Sequence, residues 1–377
     1  MREPGRTAIG TWSGGRFLRF GEVVEEERLE ALLRPGGGIE TVLTADAYGQ
    51  GEADSVLGRA LAGLAREDYC LIGAVGHDFY EGERDGPRGF PRFTDPRLRG
   101  EGEYGDYLRM ATERSLERIG VDSFDLLLLH NPDRIGYTSE AVWDGMAALR
   151  EAGLAGQIGV APGPANGFTL DIIDCLERFG ERIDWAMIIL NPFEPWPGEL
   201  CLEAASRHDV QVITRVVDYG GLFWGDLTPQ AQLAEHDHRS FRPPGWIEAG
   251  LEKLERLQPF AERAKLTFIQ LACQWNLAHP AVECVVPTLI QELGESACPI
   301  EAKRLELAHL PTEQRLTSED VAAIRAIGDN ANCMALKGAS PEHEGAERPD
   351  RWPLTDELTA VGGRWGIDPR RDLVVAH

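Results

Sequence analysis

The chain has 377 residues, of which 43% are hydrophobic and 27% charged, and its formal net charge is −24. This composition is typical of a globular protein, and the excess of acidic side chains would repel nucleic-acid phosphates and anionic lipid. We therefore expect neither a nucleic-acid nor a membrane partner, and the start MREPGRTAIGTW, which lacks the apolar core of a leader, favours a cytoplasmic protein.

Short apolar runs alternate with amphipathic helical stretches up to about residue 290. The runs predict eight strands, which in chain order are TAIGTW, IETVLT, YCLIGAV, FDLLLLH, GQIGVA, DWAMIIL, VQVITRVV and VECVVP. Each is almost continuously apolar, as is typical of parallel strands covered on both faces. Eight strand-helix units predict a (β/α)8 TIM barrel, with a doubly wound open sheet as the alternative.

Two regions depart from this alternation. Residues 77–103 form a long Gly-, Pro- and Arg-rich loop after the third strand, and the chain after Pro287 forms an extended C-terminal segment. That segment contains one clear helix, LTSEDVAAIRAIG, with Thr317 as its N-cap and Gly328 as its stop. We expect a barrel over residues 1–328 and a C-terminal extension, residues 329–377, that packs on the barrel.

Cysteine usage argues against a redox or structural metal centre. The seven cysteines form no CxxC pair, and several fall inside apolar segments, where a thiol is usually a small buried side chain. No disulfide framework and no metal site is predicted. A divalent cation bound by His77, Asp78, His130 and Glu194 is the less favoured alternative.

Five segments, taken in order, resemble the aldo/keto reductases. They are TADAYGQGEADSVLGRAL, ATERSLERIGVDSFDLLLLHNPD, WDGMAALREAGLAGQIGVA, QVITRVVDYGGLFWG and LTFIQLACQWNLAHPAVECVVP. The likeness covers roughly residues 7 to 290 and implies a (β/α)8 barrel. It also implies a catalytic tetrad of Asp, Tyr, Lys and His at the C-terminal ends of the early strands.

Only half of that tetrad is present in this sequence. The tyrosine matches Tyr48 and the histidine matches His130, whereas the aspartate falls on Leu43 and the lysine on Ala74. We predict Tyr48 and His130 as the catalytic residues. A phenol with a pKa near 10 suits a proton donor, and an imidazole with a pKa near 6.5 suits a proton shuttle.

The positions that the resemblance assigns to the nicotinamide cofactor have also changed. The Ser-Asn pair that would contact the carboxamide falls on Ala161 and Pro162, and the turn after the eighth strand reads VPTLIQELGESACP, without the family's basic residue. We therefore expect no cofactor, with NADP(H) as the alternative.

Other polar and aromatic residues follow the predicted strands, where a barrel places its site. Arg215 would clamp an anionic or polyhydroxyl substrate or else neutralise Asp218, and the aromatic side chains of Trp196, Tyr219 and Trp224 would stack on a sugar or cap the core. The predicted substrate-binding residues are Asp46, His77, Asp78, Asn131, Asp133, Asn191, Glu194, Arg215, Asp218 and Trp224.

The leading functional hypothesis is an enzyme with a small-molecule substrate. It would use Tyr48 and His130 in acid-base chemistry on a small carbonyl or keto-sugar-like compound, as a lyase, hydratase or isomerase without hydride transfer. One alternative is an NAD(P)H-dependent oxidoreductase with altered cofactor contacts, in which Lys337 replaces the missing lysine. A second alternative is a non-catalytic binding barrel, and the sequence is compatible with a homo-oligomer.

Overall fold

A computed structural model of the chain describes residues 1–84, 89–163, 168–242, 244–294, 297–328 and 354–373. In these residues eight parallel strands form one sheet in chain order. The strands are β1 Ala8–Gly10, β2 Thr41–Leu43, β3 Cys70–Val75, β4 Phe124–His130, β5 Ala155–Ala161, β6 Trp185–Ile189, β7 Gln211–Arg215 and β8 Val282–Val286.

The first and last strands meet, so the sheet closes. Thr7 forms a parallel bridge with Val285, whose amide donates to the Arg6 carbonyl at 3.0 Å. This closure confirms the predicted (β/α)8 barrel and excludes the doubly wound open sheet.

The continuous apolar character of the strands follows from two hydrophobic cores. In β4, Leu126 and Leu128 belong to the cluster inside the barrel, whereas Leu127 and Leu129 pack outward with the helices. Successive side chains of a strand point to opposite faces, so a barrel strand covered by helices needs an apolar residue at nearly every position.

Helices surround the barrel, and the predicted C-terminal helix is among them. Thr317 caps that helix in a capping box with Asp320, and Gly328 follows its last residue. The helices are α1 Glu26–Leu33, α2 Glu52–Leu61, α3 Tyr104–Ile119, α4 Arg134–Thr138, α5 Glu140–Glu151, α6 Phe168–Phe179, α7 Leu202–Arg207, α8 Trp246–Ala264, α9 Phe268–Leu277, α10 Ile300–Ala308, α11 Ser318–Ile327, α12 Asp356–Arg364 and α13 Pro369–Asp372.

The described part of the C-terminal extension, residues 354–373, packs against α6. Leu358 and Val361 of α12 are buried, and Arg364 pairs with Glu177 of α6. Residues 329–353 and 374–377 lie outside the described residues, as does Lys337. Within the described ranges, no helix is long and apolar enough to cross a membrane.

Candidate active site

A cavity opens at the C-terminal ends of the strands, where β2, β4, β5 and β7 end. Its volume is ≈ 80 Å³. Most of the wall is apolar, and the polar side chains are few. The lining residues are Trp12, Leu18, Phe20, Leu43, Thr44, Ala45, Tyr48, Ile72, Ala74, Leu128, His130, Asn131, Ala161, Pro162, Met187, Arg215, Val216 and Thr288.

Tyr48 enters the cavity from a tight turn directly after β2. Gly49 has φ 58°, and a Cβ there would lie 2.9 Å from the Cβ of Glu52, so the turn requires glycine. The phenol ring then meets the His130 imidazole edge to face, with ring centroids 5.6 Å apart and an interplanar angle of 89°. The structure therefore brings together the two predicted catalytic residues.

Both groups are neutral at physiological pH. Burial raises the pKa of Tyr48, and the charge of Arg215 opposes this only in part. Burial, together with the charges of Arg92 and Arg215, lowers the pKa of His130 to about 3. This pKa lies well below the value near 6.5 from which the sequence predicts a proton shuttle, and it favours a neutral, hydrogen-bonding role for His130.

Leu43 and Ala74 form part of the apolar wall and are almost completely buried. They therefore place no charge beside the phenol. A cation reaches the cavity from β7 instead, because Arg215 ends that strand and its Nη2 donates to the Pro162 carbonyl at 2.7 Å. The charged group of this site thus lies on the opposite side of the barrel from the position of the missing lysine.

The loop after β3 supplies a second layer behind His130. His77 and Arg92 form an antiparallel bridge across this loop, and Nη1 of Arg92 lies 3.1 Å from Nδ1 of His77. The His77 ring lies 5.1 Å from the His130 ring, between centroids, and Asn131 Nδ2 lies 3.2 Å from His77 Nε2. Burial and the charge of Arg92 hold the pKa of His77 well below its usual value.

Sequence reasoning missed Arg92 and Trp12. The long loop was recognised from its Gly, Pro and Arg content, but its fold decides which arginine approaches His130. Trp12 follows β1 and its ring packs edge to face on Tyr48, with centroids 6.4 Å apart. The predicted first strand, TAIGTW, extends to Trp12, whereas β1 ends at Gly10 and frees this side chain for the cavity.

Of the predicted site residues, Tyr48, His130, Asn131 and Arg215 line the cavity. The remaining ones lie outside its lining, and most bind loop backbone or other side chains. They are Asp46, His77, Asp78, Asp133, Asn191, Glu194, Asp218 and Trp224.

Asp78, Asp133 and Asp218 accept hydrogen bonds from backbone amides instead of facing the cavity. Asp78 binds the amides of residues 80 and 81 and pairs with buried Arg99. Asp133 caps α4. Asp218 accepts from the amides of residues 221 and 288, at 2.8 and 2.7 Å.

Asn191 and Glu194 belong to a buried network after β6. Asn191 Nδ2 donates to Glu194 Oε2 at 2.8 Å and to the Val216 carbonyl at 2.9 Å. Glu194 also pairs with Arg242, 3.3 Å away. Asn191 and Glu194 therefore fix the backbone next to Arg215, and they influence the cavity only through that backbone.

The three aromatic residues considered for sugar stacking lie outside the cavity lining. Trp224 Nε1 donates to the Thr288 carbonyl at 2.9 Å, and Trp196 donates to the Asp372 carbonyl. Tyr219 is buried beneath the guanidinium of Arg242. Tyr219 and Trp224 therefore pack in the core, and Trp196 contacts the C-terminal extension.

Two buried cations, one in α10 after β8 and one in the loop after β7, are already paired with carboxylates. Lys303 Nζ is buried and bonds to the Ile290 carbonyl and to Asp226, each at 2.7 Å. Arg239 is also buried and pairs with Asp237 and Glu292. Among the described residues, no group of three or more His, Cys, Asp or Glu side chains is arranged to hold a metal ion.

Asp46 is a buried carboxyl beside the site, and neither of its oxygens has a hydrogen-bond partner within the described ranges. Burial, reinforced by the nearby charge of Asp54, raises its pKa well above the usual value. The folded protein therefore retains a proton that the unfolded chain releases above about pH 4, so this group lowers stability as the pH rises.

Asp46→Asn is expected to raise the melting temperature at pH 7 and to leave it unchanged near pH 4. The asparagine amide does not titrate, so the folded variant does not have to hold the proton that Asp46 retains. Thermal unfolding from pH 4 to 7.5 measures this. Asp95→Asn is the control of opposite sign. Hydrogen bonds from Arg97 lower the pKa of Asp95, so its carboxylate stabilises the folded protein only above about pH 4, and this variant should be less stable at pH 7. An Asp46→Asn variant that is less stable at pH 7 would contradict a protonated Asp46.

Comparison with known proteins agrees with this architecture. The Aldo/keto reductase family model matches residues 7–296. The aldo-keto reductase YhdN of Bacillus subtilis is 24% identical over 288 residues, covering 74% of this chain and 80% of that protein. The 6-dehydroglucose reductase of Agrobacterium fabrum is 24% identical over 299 residues, covering 76% and 84%.

Solved structures show the same fold. A glycerol dehydrogenase of Gluconobacter oxydans has a TM-score of 0.64 at 21% identity, covering 87% of this chain and 94% of that one. An aldo/keto reductase of Klebsiella pneumoniae in complex with NADP and acetate has a TM-score of 0.57 at 20% identity, covering 86% and 91%. Because the family model spans more than half of the sequence, the chain belongs to the aldo/keto reductase family.

Proposed function

We propose that this protein binds a small carbonyl compound and polarises it for chemistry at the adjacent carbon, as in elimination, hydration or isomerisation, without hydride transfer. The observation that carries this proposal is the pairing of Tyr48 and His130, with ring centroids 5.6 Å apart, in a cavity where Leu43 and Ala74 replace charged partners. Two neutral hydrogen-bond donors on one oxygen stabilise negative charge as it develops there.

The protonation states support these roles. The raised pKa of Tyr48 keeps the phenol protonated, so it can donate to the substrate oxygen. The pKa of about 3 keeps His130 a neutral imidazole. One ring nitrogen can then donate a hydrogen bond to the substrate oxygen, and the ring does not take up a proton. In an enolisation the carbon-hydrogen bond breaks, its proton passes to solvent, and Tyr48 protonates the oxygen before regaining a proton from water.

Among the described residues, those at the positions expected to contact a nicotinamide dinucleotide offer it few polar groups. Ala161 and Pro162 offer no side-chain hydrogen bond to a carboxamide, and the Pro162 carbonyl already accepts from Arg215. Lys303 of α10 and Arg239 of the loop after β7 are buried and bound to carboxylates, which leaves neither cation for a phosphate.

The cavity volume supports a compound of a few carbon atoms over a keto sugar. At ≈ 80 Å³ the cavity is far below the roughly 300–1,000 Å³ of typical small-molecule sites. The substrate class is therefore narrower than the one expected from the sequence.

The second candidate function is an NADP(H)-dependent carbonyl oxidoreductase. It is favoured by the family and by the related Klebsiella pneumoniae structures, which were solved with NADP and with NADPH. In this case Tyr48 would still donate the proton, and residues of the loops would make the cofactor contacts that Ala161 and Pro162 lack.

Titration with NADPH separates the two candidates. We expect a dissociation constant weaker than about 1 mM, which is about −4 kcal/mol, in fluorescence quenching or calorimetry. The Klebsiella pneumoniae reductase serves as the positive control in the same buffer. Low-micromolar binding, about −8 kcal/mol, would replace the non-redox proposal by the reductase.

A further inference from the structure

Arg215 gives the cavity a single formal charge. Among the described lining residues it is the one ionised side chain, because no Asp or Glu contributes to the wall and His130 is neutral. Trp12, Leu43 and Leu128 are among the apolar residues around it. In such a low-dielectric enclosure a guanidinium attracts an anion much more strongly than it would in water.

The position of Arg215 is fixed by its surroundings. Its Nη2 donates to the Pro162 carbonyl at 2.7 Å, on the neighbouring side of the cavity. The next residue, Val216, has φ 58°, a left-handed conformation that is costly for a β-branched side chain. The hydrogen bond from Asn191 to the Val216 carbonyl holds this conformation, and Glu194 and Arg242 anchor Asn191 in turn.

Arg215 also acts electrostatically on both proposed catalytic groups. Its charge opposes the burial-induced rise in the pKa of Tyr48, and it contributes, after burial and Arg92, to the low pKa of His130. Arg215, Tyr48 and His130 also line the same small cavity. A ligand in that cavity can reach a cation and two neutral donors at the same time.

We propose that Arg215 binds the carboxylate of a short-chain oxo acid whose carbonyl oxygen contacts Tyr48 and His130. This inference rests on the proposed function, since it assumes that a carbonyl oxygen lies between those two donors. A planar guanidinium matches a carboxylate in a two-point hydrogen-bonded pair, which a neutral ketone cannot form. The small cavity favours acids of about three or four carbon atoms, such as pyruvate.

Three ligands of similar size test the inference on the intact protein by calorimetry or ligand-observed NMR. Pyruvate carries both groups, butane-2,3-dione keeps the carbonyl and replaces the carboxylate by a neutral acetyl group, and propionate keeps the carboxylate and lacks the ketone. We expect pyruvate to bind roughly 10- to 100-fold more tightly than the dione, the range of a hydrogen-bonded charged group.

Variants assign that preference to Arg215. Arg215→Met should remove the preference for pyruvate over the dione, and Arg215→Lys should keep part of it because the charge is retained. Thermal unfolding shows whether each variant is folded. If Arg215→Met does not fold, the comparison of the three ligands on the wild-type protein and the Arg215→Lys variant still test whether Arg215 binds the carboxylate.

The outcomes separate the two proposals. Equal binding of the dione and pyruvate would overturn the role of Arg215 and leave the carbonyl site intact. Equal binding of propionate and pyruvate, with no effect of Tyr48→Phe, would keep the anion site and overturn the proposed function. If neither pyruvate nor the dione binds the wild-type protein, both proposals are wrong.

Discussion

Arg239→Met is expected to lower the free energy of unfolding by about 3–5 kcal/mol, because it leaves two buried carboxylates without their counter-ion. The Arg239 side chain is fully buried, with Nη2 2.8 Å from Asp237 Oδ2 and Nη1 2.6 Å from Glu292 Oε1. Asp237 also accepts from the Gly21 amide at 2.7 Å. One guanidinium therefore joins the loops that follow β1, β7 and β8.

The free energy of unfolding that Arg239→Met loses should depend on pH. Burial raises the pKa of Asp237, but the hydrogen bonds and charge of Arg239 outweigh burial, so the pKa lies below its usual value. A depressed folded pKa stabilises the protein above about pH 4, and this contribution disappears as the pH falls through the folded value. The difference between wild type and Arg239→Met should therefore shrink in acid.

Urea unfolding at pH 7 and at a series of pH values from about 4 downwards measures this effect. Arg371→Met is the matched control, because Arg371 is 69% exposed and pairs with its neighbour Asp372. Water screens an exposed pair of this kind, so it contributes little to stability. Equal losses in the two variants would show that the Arg239 network does not stabilise the loops of the barrel mouth.

The strand order was predictable from the sequence because each barrel strand is buried on both faces. FDLLLLH reads as one apolar run, and β4 spans those same residues, Phe124–His130. Eight strand-helix units favoured closure between β1 and β8, and the bridge between Thr7 and Val285 shows it. Strand ends were less predictable, since TAIGTW contains Trp12, which leaves the ladder and turns into the cavity.

The candidate site was predictable only in part, because polar residues after strands serve two purposes. Loop backbones at the barrel mouth need hydrogen-bond partners, and a carboxylate such as Asp133 or Asp218 supplies them. The sequence places such residues in the same positions as Tyr48 and Arg215. Only the fold separates side chains that face the cavity from those that bind backbone.

Long-range charges were beyond sequence reasoning. The pKa of His130 depends on burial and on Arg92 and Arg215, which lie far from it in the sequence. Arg239 and Glu292 are 53 residues apart, and their contact depends on the paths of two loops. A local pattern contains no information on such distances.

Tyr48→Phe is expected to slow the proposed reaction by at least about 10²-fold, or about 3 kcal/mol, while leaving the protein folded. The substitution removes the hydroxyl that would donate to the substrate oxygen. It keeps the ring that packs against Trp12 and His130, with centroids 6.4 and 5.6 Å away. Stability should therefore change little, which separates a chemical role from a structural one.

Exchange of carbon-bound hydrogen provides the assay. In deuterated water the wild-type protein should speed the incorporation of deuterium beside the carbonyl of pyruvate, followed by NMR, with no requirement for NADPH. Tyr137→Phe is the matched control, because the buried Tyr137 hydroxyl lies outside the cavity lining and has no hydrogen-bond partner among the described residues. The Tyr137→Phe variant should promote deuterium incorporation into pyruvate at the wild-type rate.

The pH profile adds a second check on the same mechanism. Because the pKa of His130 is about 3, its protonation should produce no inflection in the exchange rate near pH 6.5, where an ordinary histidine titrates. A rate that falls with an apparent pKa of about 6.5 would restore the proton-shuttle role of His130. Unchanged exchange in Tyr48→Phe, or transfer of deuterium from labelled NADPH to product, would show that the phenol is not the donor or that hydride chemistry survives.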